Sequence, residues 1–314
     1  MSASGNIINY NIRTCKSVER RMILSTVKEL FENVSYTNRR YIGFGSTYFT
    51  DFKLFHKELH VDKMLSFALE KDILKRVEFN KPFKCVKIII GNSTDLLPNI
   101  EWDESIIDLL WMDYDDPLSY DMFNDIEHIF SNANAGSVYL MTCNKQLKYE
   151  SISEFDSVFG ELVPSDISIN DFAGEKDFLL IRRMLLNKIE EVIKGRNHTL
   201  PEQHHLIFHQ LFFFTYRDGA PMLSYGGFLD LKSNEFTLKN YHLNNFEFIS
   251  TGEMRYIIDP PVLSFKETFL LNCHLPNSES DFINEEELNF IPISDRNKYR
   301  KLYKFLPSYM DVVH

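Results

Sequence analysis

The chain has 314 residues, with 45 Asp and Glu against 34 Lys and Arg, and a formal net charge of −11. That balance excludes broad, non-specific contact with nucleic acid, because a phosphate backbone needs a clustered basic surface; a local basic pocket stays open. With 44% hydrophobic, 25% charged and 14% aromatic residues, the composition is that of a soluble globular protein with an aromatic-rich core, and disorder is expected only at the ends.

The four cysteines, at 15, 85, 143 and 273, form no CxxC pair and read as reduced thiols. The first residues, MSASGNIINYN, lack a basic-then-apolar leader pattern. No apolar run approaches the roughly 20 residues that span a bilayer. A cytoplasmic location is therefore expected.

Along the chain, Val18 to Asn33 has apolar residues at helical spacing and predicts an amphipathic helix. Arg40 to Ser46 predicts a short strand running into a glycine-bearing turn. Phe49 to Leu59 reads as a helix. Lys63 to Leu69 is the second strand, ending at Glu70. Val86 to Ile90 is the third and Ile106 to Met112 the fourth, ending in Asp113. A helix over Phe123 to Phe130 and a fifth strand over Ser137 to Thr142 follow. These strands are continuous apolar runs separated by helices, as in a parallel sheet covered on both faces. The expected class is therefore a doubly wound α/β sheet, with a mixed α+β domain as the alternative. Ala173 to Lys194 predicts a long amphipathic helix. Leu206 to Tyr216 and Ala220 to Leu229 flank Asp218-Gly219, a strong hairpin signal that closes the sheet with an antiparallel pair. Beyond residue 260, helices are expected near Ser264 to Asn272 and Asp295 to Phe305. The chain divides into a helical segment over residues 1–35 that could act as a lid, a ligand-binding domain over 36–230, and an extension over 231–314.

In an open parallel sheet, ligands sit outside the carboxyl ends of the strands. Gly43 and Gly45 end the first strand, where glycine permits positive φ and close backbone approach; Ser46 follows. Glu70 ends the second strand and is placed to accept from two ribose hydroxyls. Asn92 and Ser93 follow the third, beside the expected adenine edge. Asp113 follows the fourth, at the reacting end. Each signal alone has a plainer reading, as a tight turn or a solvated strand end. Their order, each after its own strand, points to a nucleoside ligand.

On these residues the chain resembles a class I S-adenosylmethionine-dependent methyltransferase. RYIGFGSTYFTDF resembles that family's first motif, Leu69-Glu70 its second-strand acid, IIIGNSTD its third-strand loop and LLWMDYDDPL its fourth-strand motif. More narrowly, over about residues 10–230 the chain is similar to uncharacterised bacterial proteins described as "putative O-methyltransferases". The resemblance implies a mostly parallel seven-stranded, Rossmann-like sheet and S-adenosylmethionine as cofactor. There are departures. Thr47 and Tyr48 stand where a third glycine is usual, and Ile42 where an acid is usual. Tyrosine at 48 argues against a nicotinamide dinucleotide.

Methyl transfer needs an aligned acceptor and, for a hydroxyl, a base. Asp113 and Asp115, with Tyr114 between them, are the candidate catalytic group; the plainer reading is an acidic loop with a helix start at Asp116-Pro117. Arg13 and Lys16 are candidates for binding an anionic acceptor or the cofactor carboxylate, or else form a solvated helix start. His204, His205 and His209 sit in a predicted strand with no third ligand at metal spacing, so no metal is expected. Three functions stay in view: O-methylation of a small molecule, methylation of a nucleic-acid or protein partner, and a non-catalytic cofactor-binding module. The acidic balance favours the first over the second. No membrane association is expected, and self-association is left open.

Overall fold

The protein is described from a computed structural model, over residues 13–34, 38–68, 74–174 and 176–307. Among these residues the chain alternates as expected: α1 (Thr14–Glu32), β1 (Asn38–Phe44), α2 (Thr50–Leu59), β2 (Lys63–Ala68), α3 (Leu74–Asn80), β3 (Val86–Ile90), α4 (Ser93–Leu96), β4 (Ile106–Pro117), α5 (Tyr120–Asn132) and β5 (Val138–Asn144). Then come α6 (Ile152–Phe159), α7 (Asp177–Asn197), β6 (Leu206–Asp218), β7 (Ala220–Leu231), β8 (Tyr256–Ile258), α8 (Phe265–Cys273), α9 (Glu279–Asn284) and α10 (Ile293–Leu302).

The strands form one sheet in the order β3-β2-β1-β4-β5-β7-β6-β8. The first five are mutually parallel, and β7 pairs antiparallel with both β5 and β6. The order reverses between β1 and β4, which is the switch point where such sheets bind ligands. The fold is Rossmann-like, as the alternation of strands and helices predicts. It has an eighth strand beyond the seven expected: β8 lies parallel beside β6, with Phe214 opposite Tyr256. Three residues are too short for a periodicity signal, so pattern could not reveal β8.

Two cores flank the sheet. One contains Val18, Met22, Val27 and Phe31 of α1 with Phe52 and Phe55 of α2 and Trp111 of β4. The other contains Phe123, Ile126 and Phe130 of α5 with Ile181, Leu185 and Ile189 of α7. Fully burying each such side chain is worth about 1.5–3 kcal/mol, so α1 is anchored by its own apolar stripe. Residues 1–12 and 35 of the segment expected as a possible lid lie outside the described residues. A third, small core of Leu271, Phe282, Leu288, Ile291 and Tyr299 organises the tail helices.

The N-terminus of α1 has an unusual cap. Its preceding residue, Arg13, makes no side-chain cap bond. Instead the Asp218 carboxylate, at the β6–β7 hairpin, accepts from the Cys15 backbone N–H at 3.3 Å and from the Lys16 N–H at 2.8 Å. Those donors are among the four that a helix start leaves unpaired, and a carboxylate there also suits the helix dipole. Because β6 runs parallel to β5, this hairpin lies at the same carboxyl edge as the ends of β1 and β4.

Candidate functional site

Gly43 ends its run inside β1, paired with Ser66 on one side and Trp111 on the other. A Cβ at Gly43 would collide with the Tyr41 hydroxyl, and one at Gly45 would collide with Ser66 Oγ. Both positions therefore need glycine for close packing within the protein. Neither has positive φ; at this edge that conformation belongs to Gly91 at the end of β3, Phe49 just before α2 and Gly219 in the β6–β7 hairpin. The left-handed conformation expected at residues 43 and 45 is absent, and the space beside each is taken by the protein's own side chains. Ser46 accepts from the Tyr48 backbone N–H at 3.3 Å. Glu70 lies outside the described residues.

The loops after β3 and β4 are joined by a residue that sequence reasoning missed. Asp125 of α5 is fully buried and accepts from Ser93 Oγ at 2.5 Å, Thr94 Oγ1 at 2.9 Å and the Tyr114 hydroxyl at 2.5 Å. Burial pushes its carboxyl up, and the hydrogen bonds pull the other way. Burial, with Asp125 beside it, holds the Tyr114 phenol well above its ordinary range. The Tyr114 ring meets Phe44 edge-on, with centroids 5.0 Å apart. Tyr114 is thus part of the wall rather than an available proton acceptor. Asn92 precedes α4, and its backbone carbonyl accepts from Asp95 and Leu96. An aspartate inside an amphipathic helix carries no motif; only its buried position marks it.

Strand β4 is regular through Asp113, which pairs with Thr142. The next pairing is Pro117 with Asn144, so four residues of β4 span two of β5. The excess puts a bulge at residues 114–116 and turns the acidic run out of the ladder. Asp115 is exposed and Asp113 half-buried. The expected helix start at Asp116-Pro117 does not occur, because β4 continues to Pro117 and α5 begins at Tyr120.

Lys16 has been drawn inward. Its ammonium donates to Asp113 Oδ1 at 2.7 Å, Glu19 Oε2 at 2.8 Å and the Tyr216 hydroxyl at 3.1 Å. It also lies 4.4 Å from the Trp111 ring centroid. An ammonium has three N–H donors, so Lys16 is saturated and 2% exposed. That arrangement differs from the anion-binding role expected of Lys16; the side chain holds Asp113 instead. One turn on, Arg20 pairs with Asp51 in the first turn of α2. Arg13 is half-buried at the start of α1.

Other clusters lie elsewhere. His56 Nδ1 is 3.2 Å from Asp62 and 3.7 Å from Cys85 Sγ, on the amino side of β2 and β3. The same nitrogen is 3.0 Å from the Val61 carbonyl, which can only accept. Nδ1 therefore carries the proton and has no lone pair for a metal. Of the three histidines expected on a strand, only His209 lies on β6; His204 ends a short 3-10 turn and His205 precedes the strand. A cavity of about 270 Å³ lies between the end of α7 and the start of β6, and one of about 320 Å³ lies against α7 near Arg182 and Glu253. The first is at the edge of the sheet opposite Asp113.

The carboxyl edge therefore holds Gly43 and Gly45, the Ser93 and Thr94 hydroxyls bonded to Asp125, and the Lys16–Asp113 ion pair. No curated protein matches the chain. Solved structures that resemble it include a LepI variant in complex with SAH and substrate analogue, at 10% identity, TM-score 0.35, covering 65% of this chain and 46% of that one. An rRNA methylase from Streptococcus thermophilus is 9% identical, with TM-score 0.35, covering 67% and 94%. An O-methyltransferase family protein from Burkholderia thailandensis is 14% identical, with TM-score 0.33, covering 69% and 57%. The chain spans less than half the length of the first of these. The family described as "Putative O-methyltransferase" matches residues 8–314. The chain belongs to that family.

Proposed function

We propose that the protein moves a methyl group from S-adenosylmethionine to an oxygen of a small molecule, at the carboxyl edge of β1 to β4. The observation that carries this reading is the setting of Asp113. It is a half-buried carboxylate at the switch point, held by a fully saturated Lys16, at the start of a bulge that turns Asp115 outward. In this reading Gly43, Gly45 and Ser46 shape the cofactor turn, Glu70 takes the ribose hydroxyls, and Asn92 and Ser93 border the adenine. Asp113 and Asp115 face the acceptor, and Tyr114 keeps their loop in place through Asp125. Arg13, at the start of α1, borders the acceptor side. The bound cofactor supplies an electrophilic methyl group; the chain's own residues align the acceptor and take its proton.

The −11 net charge supports a small-molecule acceptor over a nucleic acid. A second reading, a cofactor-binding module without turnover, is favoured by one observation: Asp113 Oδ1 is already committed to an ammonium. The test is turnover of labelled cofactor on a cell-extract metabolite pool, with cofactor affinity measured in parallel. Asp113→Asn is expected to lose about a hundredfold to ten-thousandfold in rate, the range for a missing general base, far more than it loses in cofactor affinity. Turnover retained in that variant would remove Asp113 as the base and leave Asp115.

A further inference from the structure

Two hydrogen-bond chains converge on Glu19, a residue with no exposed surface. The first begins at the Trp111 indole, which bonds Thr142 Oγ1 at 3.1 Å; Thr142 bonds Ser224 Oγ at 2.7 Å, and Ser224 bonds Glu19 Oε1. The second begins at Lys16, which bonds the Tyr216 hydroxyl at 3.1 Å; that hydroxyl bonds Glu19 Oε2 at 3.1 Å. An indole N–H and an ammonium can only donate. Each chain starts at such a group, and with Glu19 ionised every hydroxyl between can pass a hydrogen forward, so both run to Glu19. Lys16 adds a direct bond to the same carboxylate at 2.8 Å. A carboxylate that receives three donors is suited to being ionised; a proton on it would reverse one chain. Burial, with the Asp113 charge beside it, holds the Glu19 carboxyl above its ordinary value, while the Lys16 charge and the hydrogen bonds from Lys16 and Ser224 act the other way.

With Glu19 ionised, the triad Lys16, Glu19 and Asp113 has one positive and two negative charges. The neighbouring Arg20–Asp51 pair is neutral by itself. We infer that Glu19 is a positioning and specificity-determining residue: through Lys16 it fixes Asp113 at the mouth, and it leaves the triad with an excess negative charge that favours the sulfonium cofactor over its neutral product. This rests on the cofactor assignment above. The chemical consequence is discrimination by charge. S-adenosylmethionine has a cationic sulfur, whereas S-adenosylhomocysteine has a neutral thioether. A negative field from buried groups is weakly screened by salt and acts on the first ligand only.

The test is calorimetric affinity for both ligands in the full chain, comparing wild type, Glu19→Gln and Asp113→Asn. Glutamine keeps the shape and an acceptor oxygen but removes the charge. In Glu19→Gln the affinity ratio is expected to move about threefold to tenfold toward S-adenosylhomocysteine, the scale of one partly screened unit charge, with S-adenosylhomocysteine affinity held. Asp113→Asn removes the same unit of charge from a half-exposed position, and the ratio must move the same way. It keeps the charge argument testable if the buried substitution impairs folding. Loss of both affinities in proportion would show that Glu19 is only structural and would overturn the inference. An unchanged ratio in both variants would overturn it equally. Failure of wild type to bind either ligand would be a different result, because it would remove the cofactor site itself.

Discussion

Ser66 has a hydroxyl with no surface exposure and no hydrogen-bond partner among the described residues, packed where a Cβ on Gly45 would fall. An orphaned buried hydroxyl carries its full desolvation cost, so Ser66→Ala is expected to leave the thermal midpoint unchanged or raise it. A lower midpoint by calorimetry would show that the hydroxyl has a water partner. Gly45→Ala should instead destabilise by about 1–3 kcal/mol in denaturant titration, as overpacking does, because the new methyl meets Ser66 and Phe49. Combining it with Ser66→Gly should recover part of that loss. Glu70→Ala tests the ribose assignment: losing a charge-assisted acceptor should weaken cofactor affinity by roughly tenfold to a hundredfold in calorimetry. At this scale Gly43 in β1 and Asp113 in β4 fall on the strands expected from their order, while Glu70 lies outside the described residues. Asp125 and Glu19 were not. Each lies inside an amphipathic helix, where nothing in the local sequence separates a buried carboxylate with three donors from a solvated one.

Helix α1 joins the carboxyl edge by its polar face and the core by its apolar face. Its pattern gave the apolar face, because Val18, Met22 and Val27 recur at helical spacing. The polar face was read as a basic start open to an anion or to solvent; instead Lys16 and Arg20 are ion-paired and the helix start is capped. The partners Asp113, Asp51 and the capping Asp218 come from three separate elements, and spacing within one element cannot report them. Asp218 offers the element-scale prediction. Removing an N-terminal cap costs about 0.5–2 kcal/mol, so Asp218→Ala should lower unfolding free energy by that amount. It should also loosen Lys16, whose backbone N–H is one of the two capped. Asp218→Asn should restore most of the stability, since asparagine caps well. Equal loss in both variants would assign the effect to charge rather than capping. The bulge in β4 was likewise invisible: the acidic run was expected to be a loop, but it continues β4 to Pro117 with an irregular register against β5.

Across the molecule, buried carboxylates shape the response to pH. Asp125 has a folded-state pKa above its unfolded value because burial outweighs its three hydrogen bonds. Its contribution to stability is fully present below the unfolded pKa and is lost as pH rises through the folded pKa. The window therefore opens near the ordinary aspartate value of about 3.8 and extends upward. Asp125→Asn should flatten the stability profile across that window in denaturant titrations at several pH values; an unchanged slope would show that other groups dominate. The alternation of strands and helices made the doubly wound class legible, and Asp218-Gly219 made the hairpin legible. In the tail, the helices expected near Ser264 to Asn272 and Asp295 to Phe305 are present as α8 and α10, while β8, three residues paired with the distant β6, was not legible.

The cap on α1 also bears on how the chain is made. Lys16 and Asp218 are 202 residues apart, and Glu19 reaches Ser224 across 205. At a synthesis rate of about 5–20 residues per second, roughly ten to forty seconds separate the first of these partners from the last. Throughout that interval α1 has an uncapped start, and the carboxylate of Glu19 has neither hydroxyl partner. The helix that emerges first is therefore completed last, and a nascent chain halted before β6 should expose it to protease while the β1 to β5 core is already forming.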